Sequence, residues 1–181
     1  MDETLRKIQA CKNCELCKHQ KPLAQCSYEA DCFWVGLSAV KTRDDKDIPL
    51  SPSTNTGKLI QQIEFFANGS TFHKTNVVKC VPLNNDKIRY PSKQEMKKCF
   101  SHLEDEINIL KPKVVFLLGK QAASFVLNEY GINECEFNDD FSYKTYTVKG
   151  CKFVPVHHPS YILVYKRKQI DKYIQAIESH I

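Results

Sequence analysis

The chain has 181 residues, 42% of them hydrophobic and 26% charged, with 6 Gly and 8 Pro. This is close to the roughly 150 residues of an ordinary domain, and the composition lies outside the disordered and collagen-like ranges. The 26 Lys and Arg against 21 Asp and Glu give a formal net charge of +5, which permits a polyanionic partner without requiring one. Nine cysteines are an odd number, so a complete set of intramolecular disulfides is excluded. The opening MDETLRKIQA has no apolar run of the kind a secretion signal uses, and the apolar run Val114 to Leu118 falls far short of the ~20 residues of a membrane span. The expectation is a cytoplasmic chain with no membrane association, whose thiols stay reduced and hold metal more often than they form staples.

In chain order, Cys32-Phe33-Trp34-Val35-Gly36 reads as a short buried strand running into a loop. From Thr56-Gly57 onward, Leu59, Ile60, Ile63 and Phe66 recur at helical spacing. Asn76 to Cys80 is expected as a second strand, ended by Pro82 and a polar loop through Pro91. Ser92 and Glu95 have capping-box spacing, and Met96, Cys99, Leu103, Ile107 and Leu110 continue a helix that stops before Pro112. Val114 to Leu118 is apolar throughout, as in a strand covered on both faces, and Gly119 leads into a helix over Gln121 to Leu127 that Gly131 closes. Tyr143 to Val148 and Lys152 to Val156 alternate about Lys149-Gly150 as a strand pair, and a last helix is expected from about Arg167 to the end. With no internal repeat and no linker, this alternation predicts one domain over 1–181, a three-layer α/β/α sandwich with a mainly parallel central sheet. Its ligand site should lie beyond the carboxyl ends of the strands. The loop after Gly36, the end of the Asn76 strand and the His157-His158-Pro159-Ser160 turn converge there.

Cys11-x2-Cys14 is a hairpin spacing that aims two sulfurs at one metal centre, and Cys17 lies one further such step on, which leaves the choice within the trio open. Cys80, at a strand end, and Cys99, one turn inside a helix, are the candidates to complete a four-thiolate site. Cys26, Cys32, Cys135 and Cys151 are read as packing residues. Four thiolates suit either zinc or an iron-sulfur cluster. Positive charge gathers at Lys12/Lys18/His19/Lys21, at Lys93/Lys97/Lys98 and at Lys166/Arg167/Lys168, each of which could equally be a solvated helix face.

Several of these stretches, in this order, carry a resemblance. Cys11-Lys12-Asn13-Cys14-Glu15-Leu16 resembles the C-x-x-C-x-L opening of the iron-sulfur (family-four type) uracil-DNA glycosylases. Thr75 to Pro82 is similar to their T-N-x-V-K-C-x-P segment, Glu95 through Ala123 to their long helix, buried strand and following helix, and His158-Pro159-Ser160-Tyr161 to their H-P-[SA]-Y motif. The resemblance covers residues 11 to about 165. It implies a structural 4Fe-4S cluster on Cys11, Cys14, Cys80 and Cys99, with Leu16 keeping the first pair in register; zinc is the runner-up. It also implies a uracil-DNA glycosylase-like fold whose N-terminal segment binds the cluster.

A glycosylase takes its nucleotide out of the stack, reads the base edge and stabilises a departing anionic base. The resemblance assigns the reading to Asn76, whose amide offers a donor and an acceptor. It assigns stabilisation of the anion to His158 rather than His157, and implies that Gly36, Leu37, Leu50 and Ser160 line the base pocket. Leu163 beside Lys166, Arg167 and Lys168 has the make-up of an apolar wedge with phosphate-binding charge. Two features depart from the family pattern. The acid of its G-E-x-P-G loop is missing from Gly36-Leu37-Ser38-Ala39-Val40, which leaves Ser38, Asp44, Asp45 or Asp47 to position water. The stacking aromatic of its P-F pair is replaced in Pro49-Leu50, and Thr54 to Leu59 restores the match only after a small insertion. The expectation is a monomeric glycosylase acting on single- or double-stranded DNA at uracil or a modified pyrimidine. The alternative is an iron-sulfur nucleic-acid-binding module that has lost the chemistry.

Overall fold

In the computed structural model, which describes residues 2–42, 47–67 and 69–181, helix α1 (Asp2–Gln9) and a 3-10 turn (Glu15–Lys18) precede β1 (Cys32–Ser38). Helix α2 (Asn55–Phe66) leads to β2 (Phe72–Val78), and a small hairpin of β3 (Leu83–Asn84) and β4 (Lys87–Ile88) leads to α3 (Lys93–Leu110). Next come β5 (Val114–Leu118), α4 (Lys120–Glu129), β6 (Tyr146–Val148), β7 (Cys151–Val156), α5 (Pro159–Tyr165), a second 3-10 turn (Arg167–Gln169) and α6 (Ile170–Glu178). No helix among the described residues is long and apolar enough to cross a membrane.

The main sheet has the order β2-β1-β5-β7-β6. Its first four strands are mutually parallel and β6 closes one edge antiparallel. Strand alternation builds the three layers. Phe33, Val35, Val115, Leu117 and Phe153 face one side, where α3 and α4 supply Leu103, Ile107, Ala123 and Val126. Cys32, Trp34, Val114, Phe116 and Val154 face the other, against Ile60 and Ile63 of α2 and Tyr173 and Ile177 of α6. The chain runs outward from β1 to β2 and then crosses back to β5 on the other side of β1. The carboxyl ends of β1 and β5 are therefore the point where the winding reverses, the place where open α/β sheets bind their ligands.

The expected α/β sandwich is the fold observed, with differences at the element ends. Strand β2 starts at Phe72, four residues ahead of the expected Asn76, and Cys80 lies beyond its end. Its first half carries polar residues that are nevertheless buried, because each has a partner. His73 Nδ1 lies 2.9 Å from Ser27 Oγ, and Lys74 Nζ donates to Glu64 at 2.9 Å. The expected polar loop before Pro91 contains the β3–β4 hairpin, turned by Asn85 and Asp86 at φ 47° and 60°. The capping box forms as its spacing predicts. The expected last helix is split, with a 3-10 turn where it was to begin and α6 starting at Ile170. The strand expected from Tyr143 starts only at Tyr146, and α1 gave no signal in the periodicity.

Beneath the end of β2 lies a buried polar group. Glu106 of α3 is fully buried, and its Oε2 accepts from Lys79 Nζ at 2.6 Å and from Thr75 Oγ1 at 2.8 Å. Burial alone would raise the Glu106 pKa, but the Lys79 charge and His73, whose Nε2 is 3.6 Å from Oε1, outweigh it and hold the carboxyl below its ordinary range. A lowered folded-state pKa contributes stability that is present above the unfolded carboxylate value and is lost as pH falls through the folded value. Glu106→Ala strands a buried ammonium and should lower the unfolding free energy by about 3–5 kcal/mol, whereas Lys79→Met with Glu106→Gln should cost far less. Urea titrations at neutral pH check this, and equal losses in the two proteins would contradict it.

Candidate active site and cysteine pocket

Four residues mark the carboxyl edge of the sheet. Asn76 of β2 is paired in register with Gly36 of β1, Gly119 follows β5, and His158 follows β7. Asn76 is only 4% exposed, yet its side-chain amide has no hydrogen-bond partner among the described residues. It lies across the bare face of Gly36, where a Cβ would overlap Asn76 Oδ1 and meet Leu50 Cδ2 at 3.5 Å. Gly36 is thus a glycine because of this close approach, and Leu50 joins Asn76 on the same floor. Leu50 itself adopts the left-handed conformation, φ 53°.

His158 caps α5. Its Nδ1 accepts the Ser160 backbone N–H at 3.1 Å and lies 2.8 Å from Ser160 Oγ. With Nδ1 occupied as an acceptor, the neutral ring carries its proton on Nε2, for which no described group is an acceptor. Burial pushes the His158 pKa below the ordinary histidine range, so the ring is neutral at pH 7. Gly119, at φ 85°, packs behind it; a Cβ there would stand 3.2 Å from His158 Cβ. His157 is turned the other way. Its Nδ1 is 3.0 Å from Tyr143 Oη, its ring stacks on Tyr161 at 5.2 Å, and its carbonyl accepts from Tyr173 at 2.7 Å.

The remaining sequence candidates fall as follows. Ser160 orients the His158 imidazole. Leu37 is half-buried and packs on the α3 and α4 side. Ser38 is half-buried at the end of β1, opposite Val78. Asp44 and Asp45 lie outside the described residues, and Asp47 is half-buried. Leu163 packs against the α2 and α6 core, while Val164 and Tyr165, which the sequence reading did not single out, are 68% and 72% exposed. Lys166 pairs with Asp139 at 2.9 Å, and Arg167 and Lys168 are exposed. Sequence reasoning missed Gly119, whose signal was a glycine directly after an apolar strand, and Lys79, whose charge hid a buried position.

On the α3 side of β2, Cys11, Cys14, Cys17, Cys80 and Cys99 line one pocket. Helix α1 ends just before Cys11, and fully buried Leu16 pins the 3-10 turn that follows Cys14. Cys80 emerges from β2, and Cys99 faces it from α3. Burial pushes the Cys80 thiol up to about 12, reinforced by Cys99, Cys14, Cys11 and Cys17. A buried thiol of this kind becomes a thiolate only with compensating positive charge. The Lys79 backbone N–H donates to Cys99 Sγ at 3.3 Å, the type of contact that supports a ligating sulfur. Cys17 donates its thiol to the Cys14 carbonyl at 3.1 Å. No trio of His, Cys, Asp or Glu among the described residues is placed to hold a single metal ion. Five thiols lining one pocket are the soft donor set that an iron-sulfur cluster or a zinc ion takes. Cys32 and Cys151 are buried and Cys135 half-buried, but Cys26 is exposed, which removes it from the expected packing set.

With sheet order, glycine floor and cysteine pocket in place, the family follows. The chain belongs to the uracil DNA glycosylase superfamily, whose family model matches residues 25–180. It is similar to the type-4 uracil-DNA glycosylase of Archaeoglobus fulgidus, 28% identical over 171 residues that cover 90% of this chain and 83% of that protein. The type-4 enzyme of Sulfurisphaera tokodaii is 26% identical over 94% of this chain and 70% of its own length, and that of Thermotoga maritima is 30% identical over 55% and 48%.

Gly36→Ala should push the Asn76 amide off the floor and cut excision of a target base by about tenfold or more, as displacement of a positioned group does, with little change in thermal midpoint. Wild-type kinetics in a folded Gly36→Ala protein would show that the close approach has no role.

Proposed function

We propose that this protein is a monofunctional DNA glycosylase that hydrolyses the N-glycosidic bond of a flipped uracil, or of a modified pyrimidine. The observation that carries the reading is the glycine floor at the carboxyl edge of the sheet. Asn76, near the end of β2, and His158, just past β7, belong to strands three spacings apart, about 14 Å between main chains, and Gly36, near the end of β1, and Gly119, just past β5, lie between them. Two polar side chains with unclaimed hydrogen-bonding groups thus flank a strip without side-chain bulk, the shape a planar ring needs. Asn76 reads the base edge. The neutral His158 ring donates its Nε2 proton toward the oxygen on which charge gathers as the base leaves, and the Ser160 N–H fixes that tautomer. Ser38 and the Asp44, Asp45 and Asp47 run supply groups able to hold the attacking water. Leu50 caps the floor where an aromatic ring would stack, and a flexible aliphatic cap supports acceptance of a substituted pyrimidine. Exposed Val164 and Tyr165 beside Arg167 and Lys168 support contact with a DNA strand.

The 1–181 chain acts as one unit in this reading, its N-terminal segment bringing Cys11 and Cys14 to Cys80 and Cys99 as ligands of a 4Fe-4S cluster. When bound, the cluster supplies a cross-link among three chain segments. The pocket shared by the five cysteines and the Lys79 N–H on Cys99 support it, and the Cys17–Cys14 contact supports Cys17 as the bystander.

Purified protein should release uracil from an oligonucleotide and leave an abasic site; salt-dependent DNA binding with no abasic product on uracil or substituted pyrimidines would instead identify a non-catalytic module. His158→Ala should lower single-turnover excision by about 10²–10³-fold, the usual cost of removing a donor to a developing anion. Because burial lowers the His158 pKa and the working ring is neutral, activity should persist through the ordinary histidine range and fall only at more acid pH; a pH-rate profile with an acid limb above pH ~6.5 would refute the assignment. Cys80→Ser or Cys99→Ser should remove iron and visible absorption, whereas Cys17→Ser should retain both.

A further inference from the structure

Lys79 touches both halves of this molecule. Its backbone N–H donates to Cys99 Sγ at 3.3 Å. Its ammonium, at 1% side-chain exposure, donates to the main-chain carbonyl of Asn76 at 2.8 Å, to Thr75 Oγ1 at 2.5 Å and to Glu106 Oε2 at 2.6 Å. Glu106 and Cys99 stand two turns apart on the same face of α3, so the helix that presents the thiol also presents the carboxylate that holds the ammonium. Asn76 is therefore gripped through its own carbonyl, while its side-chain amide lies over Gly36 with no described partner to hold it. The main chain is what aims that amide.

We propose that Lys79 is a positioning residue that couples the cysteine pocket to the base site: cluster binding at Cys99 sets the placement of Lys79, and the Lys79 ammonium sets the placement of Asn76. This rests on the base-reading role of Asn76 and the cluster assignment given above. It goes beyond them by making the pocket a determinant of base affinity in addition to a structural tie. Coupling between two sites is reciprocal. An occupied base site must then hold the cluster more firmly, and cutting the ammonium link must remove that effect while sparing the backbone N–H to Cys99.

The test uses the full-length, iron-loaded protein and the Lys79→Met, Glu106→Gln double variant, which removes both charges together. The double variant should keep wild-type iron content and visible absorption. Its dissociation constant for free uracil should rise about tenfold or more, the loss expected for a charged hydrogen bond. In the wild type, saturating free uracil should slow iron release to a chelator by about threefold or more, and in the double variant, also at saturating uracil, it should leave the rate unchanged. Wild-type uracil affinity in the double variant, or iron release insensitive to uracil in a wild type that binds it, overturns the coupling. If the double variant does not fold, Thr75→Val, which removes one acceptor of the ammonium without stranding a charge, should weaken uracil binding by about threefold; no change there also overturns it. A wild type that lacks iron, or that neither binds nor excises uracil, overturns the underlying reading, and is told apart because the failure occurs before any substitution.

Discussion

The ion pair of Lys79 with Glu106, sealed between β2 and α3, is the interaction around which the working end of the molecule is arranged. A buried charge pair is a poor source of stability, since desolvation of both groups offsets most of their attraction. What it provides is direction. An ammonium has three protons to place, and here they go to a carboxylate, a threonine hydroxyl and the carbonyl of Asn76. Two of the acceptors belong to neighbouring residues of β2 and the third to α3, so the ammonium ties the strand to the helix. A hydrophobic contact at the same place would tolerate sliding; three directional bonds to one nitrogen do not. The chain thus spends a costly interaction where a side chain must be held to within a fraction of an ångström.

The edge above this pair is built largely by omission. Gly36 and Gly119 leave the ends of two central strands without side chains, and the groups at either side, Asn76 and His158, are held from behind, one by Lys79 and the other by Ser160. The His158 ring is kept neutral by burial and keyed to one tautomer by a backbone N–H, so it is a donor before any base arrives. In the proposed glycosylase reading such preorganisation matters, because the charge it would meet exists only as the bond breaks. His157, one residue away, shows the contrast. Ringed by Phe137, Phe141, Tyr143 and Tyr161, it anchors the turn and leaves its neighbour free to face that edge.

Much of this was legible in the residues. The long helix declared itself through Ser92 and Glu95 as well as its apolar spacing, and Val114 to Leu118 could only be a strand covered on both sides. Motif order carried the candidate site, since no composition or periodicity marks an asparagine as a reader of bases. The missed pieces share a cause. The first half of β2, with His73 and Lys74, and the Lys79–Glu106 pair look like surface in a sequence because burial of a charge depends on a partner far away along the chain. Pairing across 27 residues leaves no local trace. Asn85-Asp86 did mark a turn, but strands of two residues are too short to show alternation. Leu163 was read as a wedge from its place beside three basic residues, and helix geometry decided which of its neighbours would face water instead.

The segment from Cys11 to Asp31, between α1 and β1, has one short 3-10 turn as its regular structure. It is tied to the body by the Leu23 N–H to the Lys79 carbonyl at 2.7 Å, by Gln25 and Ser27 to β2, and by Asp31 to Thr71 and Lys113, with Leu16, Leu23 and Ala30 buried. Ordering a segment of this length with so little regular structure carries a large conformational entropy cost. In the proposed reading, a cluster that cross-links it to β2 and α3 through cysteines would lower that cost at the point where Lys79 is already the common neighbour: its N–H on Cys99, its carbonyl under Leu23, its ammonium under Asn76. The same residue therefore receives the N-terminal segment, the thiol pocket and the base site. In the proposed reading, that convergence is the physical route by which the cysteine pocket bears on what Asn76 meets.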